Sequence, residues 1–210
     1  AIPKGVLQTQ GRSMEIEGFR MMETEVTWNL YQLCINEKTC PDNQLDGGDH
    51  GFGKGNRPVI EVSWDDVTQF FIPWLNNKTG RKFDLPLSHQ RMYAANANSG
   101  LIYSWGNNIG VNNANCLGCK SKWDDEATAP VKSFKPNAFG LYDMHGNVTE
   151  WVLSCRNLLQ WDDCKERTVY GGSFISSPDL LTSKAYSGAP PSLRHFSIGF
   201  RLVENPPVSR

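Results

Sequence analysis

Asp143 and Glu150 flank the turn-prone pair Gly146-Asn147 in the stretch NAFGLYDMHGNVTEW, residues 137 to 151, with Trp151 directly after the second carboxylate. Three chemistries use such a pattern. Two carboxylates can act as a general acid and base, but the stretch offers no nucleophile beside them. Gly, Asn and Asp also make an ordinary turn, with Trp151 as its anchor in the core. A hard cation such as calcium is the third choice, because a tight loop can supply carboxylate oxygens together with backbone carbonyls.

The six cysteines are the next candidates, and they fall into three close pairs: Cys34 with Cys40, Cys116 with Cys119, and Cys155 with Cys164. An even count with local pairing predicts three short disulfides, which form outside the cytosol. A zinc site is disfavoured, because the C-x-x-C spacing occurs once, at CLGC, and the four histidines (His50, His89, His145, His195) are scattered. No helix start follows CLGC to lower a thiol pKa, so it reads as structural rather than redox-active.

Composition narrows the partners. The 210 residues carry 21 Lys plus Arg against 22 Asp plus Glu, so nothing in the net charge draws the chain to nucleic acid. No apolar run approaches the roughly 20 residues of a membrane span, so this chain is not expected to insert into a membrane. The amino terminus AIPKGVLQTQ lacks the basic and apolar regions of a signal peptide, so an exported form is expected to have lost its signal already. With 39% hydrophobic residues, one domain spanning residues 1–210 is expected, ending in a polar tail at 203–210.

The elements that must position these groups are short. VTWNLYQLCIN spaces Trp28, Tyr31 and Ile35 on one helical face behind Thr27 as N-cap. VSWDDVTQFFIPWLNNKTG places Ser63 as N-cap with Asp66 three residues on, and Gly80 closes it; Pro73 either kinks the last turn or ends the helix early. A third, shorter helix fits LSHQRMYAANA, and strands fit FRMMETEVT, TVYGGSF and SIGFRLV. From Gly100 to Lys135 the chain is Gly-, Asn- and Asp-rich with little periodicity, a long loop that needs disulfides or metal ions to hold it.

With these elements placed, the chain resembles the formylglycine-generating enzyme family, also called the sulfatase-modifying factor family. The resemblance rests on phrases in family order: ETEVT (23–27), RPVIEVSWDDV (57–67), WLNNKTGRKFDLP (74–86), YSWGN (103–107), TAPVKSFKPNAFGLYDMHGNVTEWV (128–152), GGSF (171–174) and IGFRLV (198–203). It implies an α+β, C-type lectin-like fold with short twisted antiparallel sheets, two main helices and much irregular loop. It also implies that the loop at 143–150 binds calcium, with side-chain oxygens from Asp143 and Glu150 and carbonyls from Gly146 and Val148. A second calcium would use Asn115, the carbonyl of Cys116 and Asp124 or Asp125, although a solvated Asp-rich turn accounts for those residues equally well.

Family oxidases act on a substrate cysteine through two copper-binding cysteines shortly after GGS. Here those positions are Ser176 and Leu181, and neither is a soft ligand for Cu(I). A nucleophilic Ser176 would need a base, and His195 is the only histidine that follows it in the chain. The expectation is therefore a non-catalytic, calcium-stabilised, periplasmic or extracellular binding or accessory domain for a protein or small-molecule ligand. Its recognition face would carry Ser176, Tyr186, Arg194, His195 and Phe196. The alternative is an enzyme of the same fold with replaced chemistry, such as a tailoring oxidase of a peptide or small molecule.

Overall fold

The computed structural model describes residues 1–9, 11–42, 48–157 and 164–204. The chain opens with a hairpin, β1 (Gly5–Thr9) and β2 (Arg12–Ile16), then β3 (Arg20–Met21) and helix α1 (Trp28–Asn36). Helix α2 starts as Trp64–Asp66, passes through a π-helical turn at Val67–Phe71 and continues as Ile72–Thr79. Then come β4 (Phe83–Asp84), α3 (Ser88–Asn96), β5 (Thr149–Cys155), β6 (Arg167–Tyr170), β7 (Tyr186–Ala189), β8 (Ile198–Phe200) and β9 (Val203–Glu204).

Helix α2 follows its caps. Ser63 Oγ accepts from the Asp66 amide at 3.0 Å, and Asp66 Oδ2 accepts from the Ser63 amide at 2.9 Å, a reciprocal cap that satisfies two otherwise unpaired donors. Of the two expectations for Pro73, an early end is corrected, because the helix runs on to Thr79. The wider π turn lies just before Pro73, with the Ile72 amide bonded to the Val67 carbonyl, and the chain then runs on to Gly80, whose φ of 67° closes the helix. Thr27 caps α1 by position only, with no side-chain hydrogen bond. Among the described residues there are three α-helices, and the expected shorter third, α3, is as long as α1, nine residues each.

Among the described residues three small sheets have the orders β1-β2, β3-β9-β4 and β7-β6-β5-β8. The expected antiparallel pairing holds except at β5 and β8, which run parallel with Thr149 opposite Ile198 and Trp151 opposite Phe200. A long crossover separates these strands in sequence, and such a connection lets a strand return in the same direction. The hairpin β1-β2 and strands β4, β5 and β7 lie outside the segments whose composition signalled strands. The tail expectation is corrected in part: Val203 is buried and pairs with Met21 and Asp84 as part of β9, because an apolar residue completes the sheet there. The remainder of the expected tail, 205–210, lies outside the described residues.

The main core lies between α1, α2 and the four-stranded sheet. Tyr31 stacks on Phe71 at 5.1 Å, Phe71 meets Phe200 edge-on at 5.3 Å, and Trp151 Nε1 donates to the Val62 carbonyl at 2.9 Å. All three predicted cysteine pairs are disulfides, with Cα atoms 5.3, 5.1 and 5.6 Å apart. The Cys116–Cys119 bridge braces the long irregular loop after Gly100.

Candidate functional site

The loop holding Asp143 and Glu150 is shaped by its backbone. Gly146, at φ 90°, donates its amide to the Gly171 carbonyl at 2.8 Å, and a Cβ there would lie 2.4 Å from the Asn115 carbonyl oxygen. Only glycine fits that approach. Asn147 Oδ1 accepts from the Ala129 amide at 2.7 Å, while Nδ2 donates to Glu25 Oε1 at 3.1 Å. The loop is thereby tied to the segment before α1.

Glu150 follows on β5 at full burial. Arg91 of α3 reaches it through Nε at 2.7 Å and donates from Nη2 to the Met144 carbonyl at 2.9 Å. Arg201 donates from Nε to both Glu150 oxygens at 2.9 Å and from Nη2 to Oε1 at 2.8 Å; Nη2 also reaches the Tyr142 carbonyl at 2.9 Å. Burial alone would raise the Glu150 pKa, but the two guanidiniums outweigh it and hold the carboxyl below its usual range. Both Glu150 oxygens are thus spent on guanidinium, and the sequence reading had assigned no role to Arg91, Arg201 or Glu25. A charged residue inside an apolar run, as Arg201 is in IGFRLV, was the signal that could have found one of them.

The cluster holds three carboxylates (Glu25, Asp143, Glu150) against two guanidiniums. With all three ionised, one negative charge would be left over between Asp143 and Glu25, whose Oε2 lies 3.9 Å from Arg201 Nη2. Burial drives the Glu25 pKa well above its ordinary value, with the nearby Asp143 charge adding to it. Burial likewise raises Asp143 to about 6, against the opposing hydrogen bond from the Lys132 amide. Asp143 Oδ2 accepts that amide at 2.9 Å, but Asp143 Oδ1 and Glu25 Oε2 are buried with no hydrogen-bond partner. Two orphaned carboxylate oxygens suit a hard cation. Among the described residues no three or more His, Cys, Asp or Glu side chains form a metal site, so a calcium ion here would draw on backbone carbonyls as well.

Asp124, Asn115 and the Cys116 carbonyl of the second predicted cation set make internal hydrogen bonds. Asp124 accepts from the Gly118 and Lys120 amides at 2.8 and 2.7 Å, folding over the disulfide loop. Asn115 Oδ1 accepts from Ser121 Oγ at 2.7 Å, and its carbonyl accepts from the Asn147 amide at 2.9 Å. The Cys116 carbonyl accepts from the Cys119 amide at 3.1 Å, and Asp125 is exposed.

The predicted recognition residues divide. His195 and Phe196 stack at 4.4 Å, and Phe196 lies 4.9 Å from His50 and 6.1 Å from Phe174, an aromatic cluster at the surface. Arg194 is beside them but is bound to Asp66 by Nε at 2.7 Å and Nη2 at 2.6 Å, which ties it to the α2 cap. Tyr186 belongs elsewhere, at the start of edge strand β7 against Tyr170.

Ser176 Oγ accepts from the Ser173 amide at 2.9 Å and lies 3.1 Å from Ser173 Oγ, while His195 Nδ1 pairs with Ser197 Oγ at 2.8 Å. Neither serves the other as nucleophile and base. Leu181 is fully buried, and its carbonyl accepts from His145 Nδ1 at 2.7 Å. Burial lowers the His145 pKa to about 4, so this imidazole is neutral and structural.

Residues 6–206 match the model of the sulfatase-modifying factor enzyme 1-like domain. The chain is 33% identical over 130 residues to the inactive C-alpha-formylglycine-generating enzyme 2 of Bos taurus, covering 58% of this chain and 40% of that protein. It is 32% identical over 109 residues to the formylglycine-generating enzyme of Streptomyces coelicolor, covering 47% of this chain and 32% of the relative. The chain thus spans less than half the length of these relatives. Among solved structures, PvdO from Pseudomonas aeruginosa superposes with a TM-score of 0.82 at 26% identity, over 96% of this chain and 92% of PvdO. CarF superposes with a TM-score of 0.75 at 22% identity, over 97% and 96% of the two chains, a likeness of fold alone.

Proposed function

Because the chain belongs to the sulfatase-modifying factor enzyme 1-like family, we propose that it is a non-catalytic, calcium-stabilised binding or accessory domain that works outside the cytoplasm. One observation carries the non-catalytic part: no thiol is available for copper. Positions 176 and 181 hold a serine engaged with Ser173 and a fully buried leucine, and all six cysteines are consumed in disulfides. Thiolate is the ligand that retains Cu(I), and hydroxyl or methyl groups do not replace it. Similarity to an inactive formylglycine-generating enzyme 2 is in keeping with that loss.

The three disulfides support an oxidising compartment. The orphaned oxygens of Glu25 and Asp143 support a calcium ion at this loop, with Asp143 and the Gly146 and Val148 carbonyls as its ligands. Such an ion would neutralise the excess carboxylate charge and hold the loop. Glu150 would stand beside it as the partner of two arginines rather than as an open ligand. A recognition face would be built on Ser176, Arg194, His195 and Phe196, extended by His50 and Phe52. Aromatic and arginine side chains of this kind anchor interfaces.

The test incubates copper-loaded protein with oxygen and a cysteine-containing sulfatase-type peptide, and follows loss of thiol and gain of aldehyde by mass spectrometry. No turnover above a free-copper control is expected. Metal analysis of the purified protein should find calcium; stoichiometric iron or copper, or measurable aldehyde, would instead establish an enzyme.

A further inference from the structure

The hairpin β1-β2, helix α3 and the edge of the four-stranded sheet enclose a cleft of about 460 Å³, within the size range of small-molecule sites. Leu7 of β1 and Met92 of α3 form one wall, with Tyr170 of β6 and Tyr186 of β7 on the other side. The two tyrosines are cross-strand partners with ring centroids 5.7 Å apart and planes tilted by 37°. Their exposure differs sharply: Tyr170 is 4% exposed, whereas Tyr186 is 58% exposed, an apolar ring left at the rim of an apolar hollow. A second hollow of about 210 Å³ shares Leu7, Gln8, Met92 and Lys184 with the first, so the two flank the same side chains.

The charge of this cleft has one sign. Among the described residues its acid-base side chains, tyrosines aside, are Arg156 and Lys184, and no carboxylate lines either hollow. Arg156 is already neutralised by Glu166 at 2.8 Å. Lys184 is exposed, lines both hollows and has no carboxylate within ion-pair distance among the described residues. A fixed cation beside an apolar slot walled by two tyrosines complements a ligand that is flat and aromatic at one end and anionic at the other. An aromatic body gains by offset or edge contact with the tyrosines, and the anion gains a charge-assisted hydrogen bond from the ammonium.

We propose that this cleft binds a small aromatic anion, with its ring against Tyr170 and Tyr186 and its carboxylate or sulfonate on Lys184. The site is distinct from the Arg194–Phe196 face and stands independently of whether that face binds anything.

The probe is 1-anilinonaphthalene-8-sulfonate, titrated by fluorescence into the natively folded protein. Its uncharged analogue N-phenyl-1-naphthylamine serves as the control. Saturation at one site is expected, with Lys184→Ala weakening the sulfonate by about tenfold or more and leaving the uncharged dye nearly unaffected. Tyr186→Ala should weaken both dyes about threefold to tenfold, and substitution of an exposed lysine that lines neither hollow, Lys135→Ala, should change neither. Both Lys184 and Tyr186 are exposed, so their variants are expected to fold, which an unchanged melting curve would verify. Non-saturable binding, equal sulfonate affinity in wild type and Lys184→Ala, or an equal loss of sulfonate affinity in Lys135→Ala, would overturn the assignment.

Discussion

Arg201 grips Glu150 from 51 positions away in the chain, with its Nε within 2.9 Å of both carboxylate oxygens and neither residue exposed to solvent. That contact, with Arg91 on the far side, links β5 and the carboxy-terminal segment after β8 to α3. It is therefore the internal clamp of the loop that carries Asp143.

Breaking a buried pair leaves an uncompensated charge, at a cost of about 3 to 5 kcal/mol. Arg201→Met should accordingly lower the melting temperature by roughly 6 to 20 °C, since for a chain of this size each kcal/mol shifts it by about 2 to 4 °C. Glu150→Gln should be comparably damaging, because it strands two guanidiniums. Calorimetry measures both, and a shift of less than about 2 °C in either variant would show that the cluster is incidental to stability.

Calcium binding to the native state alone adds RT ln(1 + [L]/Kd), about 2.7 kcal/mol at a hundredfold excess over Kd. A chelator should therefore lower the melting temperature of the wild-type protein, and Asp143→Ala should abolish the difference between calcium and chelator. Glu150→Ala should melt lower with or without metal, because its main loss is the arginine pairing. An identical melt in calcium and in chelator, once metal removal is verified, would leave the loop as a turn held by hydrogen bonds.

Glu204 on β9 accepts from Arg81 Nε, two residues before β4, at 2.7 Å and from Arg20 Nη1 of β3 at 3.3 Å. The Arg81 hydrogen bond, followed by that from Arg20, lowers its pKa from 4.5 to about 2. A depressed folded-state pKa gives stability that is present above the unfolded value and lost as pH falls through the folded one. The melting-temperature gap between wild type and Glu204→Gln should thus be full above about pH 5 and shrink towards pH 2. A gap that is constant over that range would separate Glu204 from the acid response.

Thiol chemistry gives the fourth expectation. Each disulfide closes a short loop, so by chain entropy each contributes only about 2 to 3 kcal/mol. Titration of the unfolded, unreduced protein should find no reactive thiol, and reduction should release six. Four or more thiols before reduction would contradict the pairing and reopen the question of copper.

Local chemistry was legible in the sequence wherever one short stretch contains both partners. The disulfides close over separations of 6, 3 and 9 residues, and the Ser63–Asp66 cap over three. That Ser176 and Leu181 stand where the family resemblance expects copper-binding cysteines needed only residue identity. What the sequence could not assign was the counter-charge of Glu150, because a carboxylate beside a glycine turn has the same composition whether it faces calcium or arginine. That was decided by packing, which gathers Glu25, Arg91, Arg201 and the Asp143–Glu150 loop from four separate segments. Likewise the segment from Ser176 to Phe196 read as one face, yet β7 takes Tyr186 to the sheet edge while Asp66 holds Arg194 on α2. Strand pairing and buried electrostatics act between residues distant in sequence, so no local pattern records them; only the folded chain brings those charges within reach of one another.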